Sequence, residues 1–156
     1  MEVEYRQALP EDIPALVRLR RLQMEEERGG PGPDLDAALA DYFAARLGDG
    51  MLVEWLALDG GEPVAAGAVV LMDFPPSFDN PTGREGYICN MYTVPGCRRR
   101  GLAGRLLALL AREARARGAV RLFLGASEAG RALYARFGFA PDDEGMAMTL
   151  EGEERT

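Results

Sequence analysis

The chain has 156 residues, enough for one domain with a real core and too few for two ordinary ones. Its 47% hydrophobic and 28% charged residues are ordinary for a soluble globular protein, and a net charge of −7 argues against general nucleic-acid binding while mildly favouring small cationic partners. Histidine is absent and all 18 basic residues are arginine, which removes the commonest general base, the commonest metal ligand and any catalytic lysine.

The N-terminal stretch MEVEYRQALPED is acidic and has no apolar h-region, so no signal peptide is expected. No apolar run reaches the roughly 18 residues of a membrane span. Cys89 and Cys97 form neither a metal-binding spacing nor a disulfide framework, so the expectation is a reduced, cytoplasmic compartment and no metal. The abundance of alanine, glycine and arginine points to G+C-rich coding and a bacterial source.

Residues 3–8 predict a short strand. A helix follows from Pro10 or Asp12, with Ile13, Leu16, Val17 and Leu19 on its apolar side, and RGGPGPD at 28–34 breaks it. A second helix over about 34–47 carries Leu35, Leu39, Tyr42, Phe43 and Leu47. The apolar runs 51–58 and 63–73, joined by DGGE, predict a hairpin whose two faces are both covered. Glu54 lies inside the first run, where a carboxylate is costly unless paired. Residues 74–86 contain three prolines and no periodicity, and loops of that length are often functional. Residues 87–94 predict a strand, 101–117 an amphipathic helix, 120–126 a strand, 127–139 a short helix and 145–150 a closing strand. The order is β α α β β β α β α β. The strand–helix–strand unit from 87 to 124 requires a parallel pair, so the class is mixed α/β with one sheet in a single domain over 1–156.

The turn into the 101–117 helix concentrates positive potential. The first amides of a helix lack intrahelical acceptors, and the peptide dipoles add about half a positive charge there. Gly101 permits close approach to the backbone, Ala103 and Gly104 keep the first turn free of bulk, and Arg98, Arg99 and Arg100 stand beside it. This is an anion site in outline or, equally, a helix start with incidental arginines. It is neither of the common nucleotide-binding glycine loops: one needs a lysine, and the other needs a glycine where Arg99 stands.

RRRGLA at 98–103 also resembles the acyl-coenzyme A pyrophosphate loop of the GNAT N-acetyltransferase superfamily: glutamine or arginine, two residues, glycine, one residue, then glycine or alanine. SEAGRALYARFGF at 127–139 is similar to the family's second signature, with Tyr134, Gly138 and Phe139 on family positions. RQALPED and VAAGAVV also look like family segments, so the resemblance spans about 5–150, with 85–139 its specific part.

The resemblance implies an α/β (α+β) fold with one mixed, largely antiparallel twisted sheet, splayed at the central strand and flanked by helices. It implies acetyl-CoA as co-substrate and no metal. Exposed backbone at Met91, Tyr92 and Thr93 would pair with the pantetheine arm. The loop from Arg98 through Arg99, Arg100, Gly101, Leu102 and Ala103 to Gly104 would hold the pyrophosphate. Tyr134 matches the tyrosine that protonates the leaving thiolate, a task suited to a phenol of pKa about 10. Ser127 stands where the family often has asparagine, and is a cofactor contact or simply a helix cap. Gly130 replaces the usual alanine. Without histidine or lysine, the general base falls to a carboxylate, a tyrosine or a water wire. Glu85, which shares alternation parity with Tyr87 and Cys89, is the candidate base, and Glu54 is the other carboxylate to consider. Asn90 would orient an acceptor or cap a bulge.

The expected reaction is acetyl transfer to a primary amine of a small molecule or peptide by direct attack in a ternary complex. The expected acceptor pocket is walled by the 10–47 helices, the 74–86 loop and the C-terminal hairpin. A non-catalytic acyl-CoA sensor is the alternative. The expected partners are a small-molecule amine and no nucleic acid or membrane, and the resemblance allows a homodimer.

Overall fold

Two consecutive glycines set the centre of the sheet. Gly60 and Gly61 both have positive φ, 59° and 85°, the type I′ geometry that matches the twist of a tight hairpin. They join β2 (Leu52–Asp59) to β3 (Glu62–Asp73), and every residue of β2 except Trp55 and Asp59 is buried. The computed structural model describes residues 2–142 and 145–150. Its contacts gather into two units, residues 1–125 and 126–156.

In the first unit, β1 (Val3–Gln7), β2, β3, β4 (Arg84–Thr93) and β5 (Arg121–Phe123) lie in the order β1-β2-β3-β4-β5. The first three pairings are antiparallel, and β4 pairs β5 in parallel. This is the mixed, largely antiparallel sheet expected. Leu16, Val17 and Leu19 of α1 (Ile13–Arg28) and Phe43 of α2 (Asp36–Asp49) pack with Leu52, Leu56, Leu58, Ala66 and Ala68 on one face. Leu102 and Leu106 of α3 (Leu102–Ala116) pack with Ala57 and Ala65 on the other. Each fully buried leucine contributes about 1.5–3 kcal/mol, so these two clusters fix the sheet between its helices.

β4 begins three residues before the predicted start, because Arg84–Asp73 and Glu85–Met72 already pair with β3. β5 is shorter than predicted, and residues 145–150 form no strand. Met146, Met148 and Leu150 alternate as a strand face would, but are 100%, 76% and 86% exposed. Alternation supplies an apolar face, whereas a strand also needs a backbone edge to pair with.

In the second unit, α4 spans Arg131–Phe137. Ser127 Oγ accepts from the Gly130 amide at 3.2 Å, and the Ser127 carbonyl accepts from the Gly130 and Arg131 amides at 3.1 Å each. Gly138, at φ 124°, ends the helix.

Candidate active site

The site is built where β4 stops behaving as a strand. Ala68 faces Cys89 and Ala66 faces Tyr92, so Gly67 alone stands opposite both Asn90 and Met91. That is a β-bulge, with Asn90 in the left-handed region at φ 55°, a conformation asparagine tolerates better than most residues. Gly67 lets Met91 pack directly beneath it: a Cβ there would lie 2.4 Å from Met91 Sδ and 3.1 Å from Leu110 Cδ1, so a larger residue would displace the Met91 side chain.

Beyond the bulge, the Val94 amide donates to Val64 O at 2.9 Å, so Val94 and, two residues earlier, Tyr92 turn their backbone groups towards β3. Met91 and Thr93 therefore turn theirs away. Their carbonyls show it: Thr93 O accepts from Arg98 Nε at 2.9 Å, and Met91 O accepts from Gln23 Nε2 at 3.2 Å. On that side β5 pairs only as far as Tyr87–Phe123, so the sheet splays before Met91. Met91 and Thr93 are open on that side as expected, whereas Tyr92, expected to be open with them, has its backbone groups turned to β3 by the alternation of the ladder.

The chain then turns through Pro95–Cys97 into a loop with Arg99 at φ 63° and Gly101 at φ 77°. Left-handed residues interleaved with others turn successive amides into one concavity that suits an anion. The Arg105 amide makes the first helical bond of α3, to Gly101 O at 3.2 Å, leaving the amides of Leu102, Ala103 and Gly104 without an intrahelical acceptor. A Cβ on Gly101 would meet nothing within 4 Å. Unbonded donors therefore open onto empty space at the positive end of a helix, which fits a pyrophosphate.

The three arginines divide their work. Arg98 Nη2 pairs with Glu26 at 2.6 Å, and its guanidinium lies 5.6 Å from the centre of the Tyr92 ring. That hydrogen bond to Arg98 is the main reason the Glu26 carboxyl is held below its usual range. Arg100 Nη1 pairs with Asp59 at 2.9 Å. Arg99 makes no ion pair among the described residues. Arg98 and Arg100 thus anchor the loop to α1 and β2, and the amides face outward.

Glu54 stands on the α1/α2 face of β2, at 2% exposure. Burial pushes its carboxyl up to about 8, opposed by a hydrogen bond from Asn90 and by the charge of Arg20. Cys89, two strands away in the same row, is pushed up to about 12 by burial and by Glu54, so it is a poor nucleophile at neutral pH.

Glu85 lies elsewhere. Its Oε1 accepts from Arg121 Nη1 at 2.5 Å in the register that joins β4 to β5. It precedes Asn90 by five residues, roughly 17 Å along the strand. The structure brings Met91, Tyr92, Thr93 and the 98–104 loop together, and leaves Glu85 at the other end of β4, engaged in strand pairing. The 74–86 loop also sits at that end: Thr82 Oγ1 donates to Gly118 O at 3.5 Å, and Arg84 Nη1 donates to Arg117 O at 3.1 Å.

In the second unit, the Tyr134 ring meets Phe139 edge-on with centroids 5.8 Å apart. A Cβ on Gly130 would lie 3.0 Å from Tyr134 Cε2, so an alanine there would press on the edge of the ring. The residues that sequence reasoning missed are Gln23, Glu26 and Asp59, the partners of Met91, Arg98 and Arg100. No local pattern marks them, because each is far from its partner along the chain. Among the described residues, no acid, cysteine and histidine cluster could hold a metal, and no helix is long and apolar enough to cross a membrane.

Residues 15–139 match the model of the acetyltransferase (GNAT) family. A predicted acetyltransferase from Clostridium acetobutylicum, solved with acetyl-CoA, is 40% identical, covers 96% of this chain and 97% of its own, and superposes with a TM-score of 0.91. A GCN5-related N-acetyltransferase from Ralstonia eutropha JMP134 is 30% identical over 97% of this chain and 100% of its own, with a TM-score of 0.84. The structure of AAC(6')-Iy with a bisubstrate analogue, CoA-S-monomethyl-acetylneamine, shares the fold at 17% identity, 97% and 100% coverage and a TM-score of 0.80. No curated protein matches the sequence.

Proposed function

This chain belongs to the acetyltransferase (GNAT) family, as an acyltransferase with acetyl-CoA as co-substrate, and on that premise we propose that it acetylates a primary amine of a small molecule by direct attack in a ternary complex. The observation that carries the cofactor half of this reading is the set of amides at Leu102, Ala103 and Gly104 without intrahelical acceptors, opening onto the unfilled space at Gly101. The amides from Arg99 to Gly104 hold the pyrophosphate, with Arg98 fixing the loop. Backbone groups of Met91 and Thr93 pair with the pantetheine arm, Tyr92 closes the same strand, and Ser127 contacts the cofactor.

Acetyl-CoA supplies the activated acyl group. The chain's task is alignment, which removes much of the entropic barrier, and stabilisation of the oxyanion by a strand amide near Met91–Thr93. Tyr134, placed by its match to the second signature, gives a proton to the departing sulfur. The whole chain acts as one acetyltransferase domain in a bacterial cytoplasm. A small-molecule acceptor is supported by the neamine analogue bound to the fold relative and by the net charge of −7. Two of the three clustered arginines are spent on Glu26 and Asp59, which supports a loop-fixing role over nucleic-acid contact.

The test is thiol release from acetyl-CoA across an amine panel, with Tyr134→Phe alongside. We expect turnover on at least one amine and a loss of about 10- to 100-fold in kcat for the variant. Normal acetyl-CoA affinity with no turnover on any amine, and no effect of Tyr134→Phe, would establish the acyl-CoA sensor instead.

A further inference from the structure

The open edge of β4 is held from outside the sheet. β5 leaves it after Tyr87–Phe123, and the bulge at Asn90 interrupts its register with β3 just before Met91. On that side Met91 and Thr93 are fixed by side chains instead. α1 carries Arg20, Gln23 and Glu26 three residues apart, so they form one polar stripe along the helix. Arg20 Nη1 donates to Gln23 Oε1 at 3.1 Å, and Gln23 Nε2 donates to Met91 O at 3.2 Å. An arginine only donates and a backbone carbonyl only accepts, so a single orientation of the Gln23 amide serves both neighbours. One turn further along α1, Glu26 accepts from Arg98 Nη2 at 2.6 Å, and Arg98 Nε donates to Thr93 O at 2.9 Å.

Both outward carbonyls of this edge are thus taken, and what the edge presents to a ligand is its amide donors. Donors suit carbonyl oxygens, above all a thioester oxygen, which gains negative charge when the acetyl carbon is attacked. The two clamps are not equivalent. Arg98 belongs to the loop that continues β4, so it moves with the strand it holds. Gln23 stands on a 16-residue helix anchored in the core by Leu16, Val17 and Leu19. Its bond to Met91 therefore refers the strand edge to the rigid part of the fold, where a site gains its precision.

We propose that Gln23 is a positioning residue for acetyl transfer: oriented by Arg20, it holds the Met91 carbonyl and so sets where the amide edge of β4 meets the thioester carbonyl of acetyl-CoA. This rests on the acetyl-transfer reading above. Gln23 acts through Met91 and takes no part in moving a proton. A reacting group misplaced by about 1 Å costs on the order of 100-fold in rate, which is why an edge that has left its neighbouring strand needs a fixed reference.

Gln23→Glu and Gln23→Leu test this together. Both remove the donor to Met91 O. The glutamate keeps the shape and the contact with Arg20, and the leucine adds no charge, so a change common to both belongs to the lost donor. In the free protein, labelled with carbon-13 at the Met91 carbonyl, that carbonyl resonance should move upfield in both variants, as it does when a carbonyl loses a hydrogen bond. With acetyl-CoA labelled at its thioester carbonyl, the infrared band of the bound group should shift to higher frequency and broaden in both. The Kd for acetyl-CoA should change by less than about threefold, because the amides of the 98–104 loop are untouched. A tie that merely holds α1 to the sheet would lower the melting temperature and leave the thioester band where the wild type has it. An unmoved Met91 resonance or an unmoved thioester band would overturn the proposal. Should the leucine variant not fold, the glutamate variant decides alone. If the wild type itself fails to bind acetyl-CoA, the transfer reading falls, and the Met91 resonance still shows whether the bond exists, so the two failures are told apart.

Discussion

The turns that bracket β4 hold glycines in nearly the same conformation, φ 75° at Gly83 and 77° at Gly101, for opposite reasons. At Gly83 the chain closes on itself. A Cβ there would stand 1.9 Å from Phe74 O, and the Gly83 carbonyl accepts from the Phe74 amide at 2.8 Å. Buried Asn80 accepts from the Gly83 amide at 3.0 Å and from Thr82 Oγ1 at 3.1 Å, and donates to Arg84 O at 3.0 Å. Each of these polar groups answers another in the same turn. At Gly101 a Cβ meets nothing, and three amides next to it have no intrahelical acceptor. Irregular backbone is therefore a poor marker of function by itself. The Pro-rich 74–86 loop was the expected acceptor wall, and it is a self-satisfied turn. The turn we propose for the cofactor is the one whose donors the chain leaves unused.

Four outcomes would sharpen or break this contrast. Gly83→Ala should destabilise the fold by about 3 kcal/mol or more, since the clash is with backbone and the φ is unfavourable. A thermal melt checks it, and a loss confined to acetyl-CoA affinity would show that the two turns had been confused. Gly101→Glu should do the reverse: the melt of the free protein falls by only about 1–2 kcal/mol, while acetyl-CoA affinity drops by about 100-fold or more. Tight binding in that variant would remove the loop assignment.

The third concerns Glu54, between the two turns. Its folded pKa of about 8 lies above its ordinary value, so its contribution to stability is present at low pH and is lost as pH rises from about 4.5 towards 8. Glu54→Gln carries no such loss. Relative to wild type, the variant should gain stability between pH 5 and pH 8, on the order of a few kcal/mol. Denaturant melts at the two pH values measure it, and a pH-independent difference would contradict the burial argument. The smallest effect is expected at Arg99→Gly. Relief of a positive φ should raise stability by about 0.5–1 kcal/mol, with acetyl-CoA affinity changed by less than about threefold, because amides rather than this side chain hold the pyrophosphate. A tenfold loss would return that role to the guanidinium.

The comparison also explains what could be read in advance. The hairpin at Gly60–Gly61, the two helices before it, the parallel β4–α3–β5 crossover and the glycine-rich turn were all legible, because each rests on local chemistry: a turn type, a 3.6-residue period, a helix end. Glu85 looked suitable as a base by alternation parity alone. Parity reports the face of the sheet and says nothing of position along the strand or of the Arg121 waiting in register. Glu54 was visible as an acid in an apolar run, but its partners were not. Asn90, Cys89, Arg20 and Tyr42 come from other elements.

Local sequence decided most of the helices and strands and where the amides without intrahelical acceptors lie at the start of α3, since backbone donors at a helix start depend on a few adjacent residues. Tertiary structure alone decided how the charges are spent. It sent Arg98 to Glu26 and Arg100 to Asp59, tied Glu85 to Arg121, and buried Glu54 beneath α1 and α2 with one oxygen unmatched. Burial and pairing are properties of neighbours brought together in space, and for a charged group those neighbours set whether it anchors a loop or takes a proton.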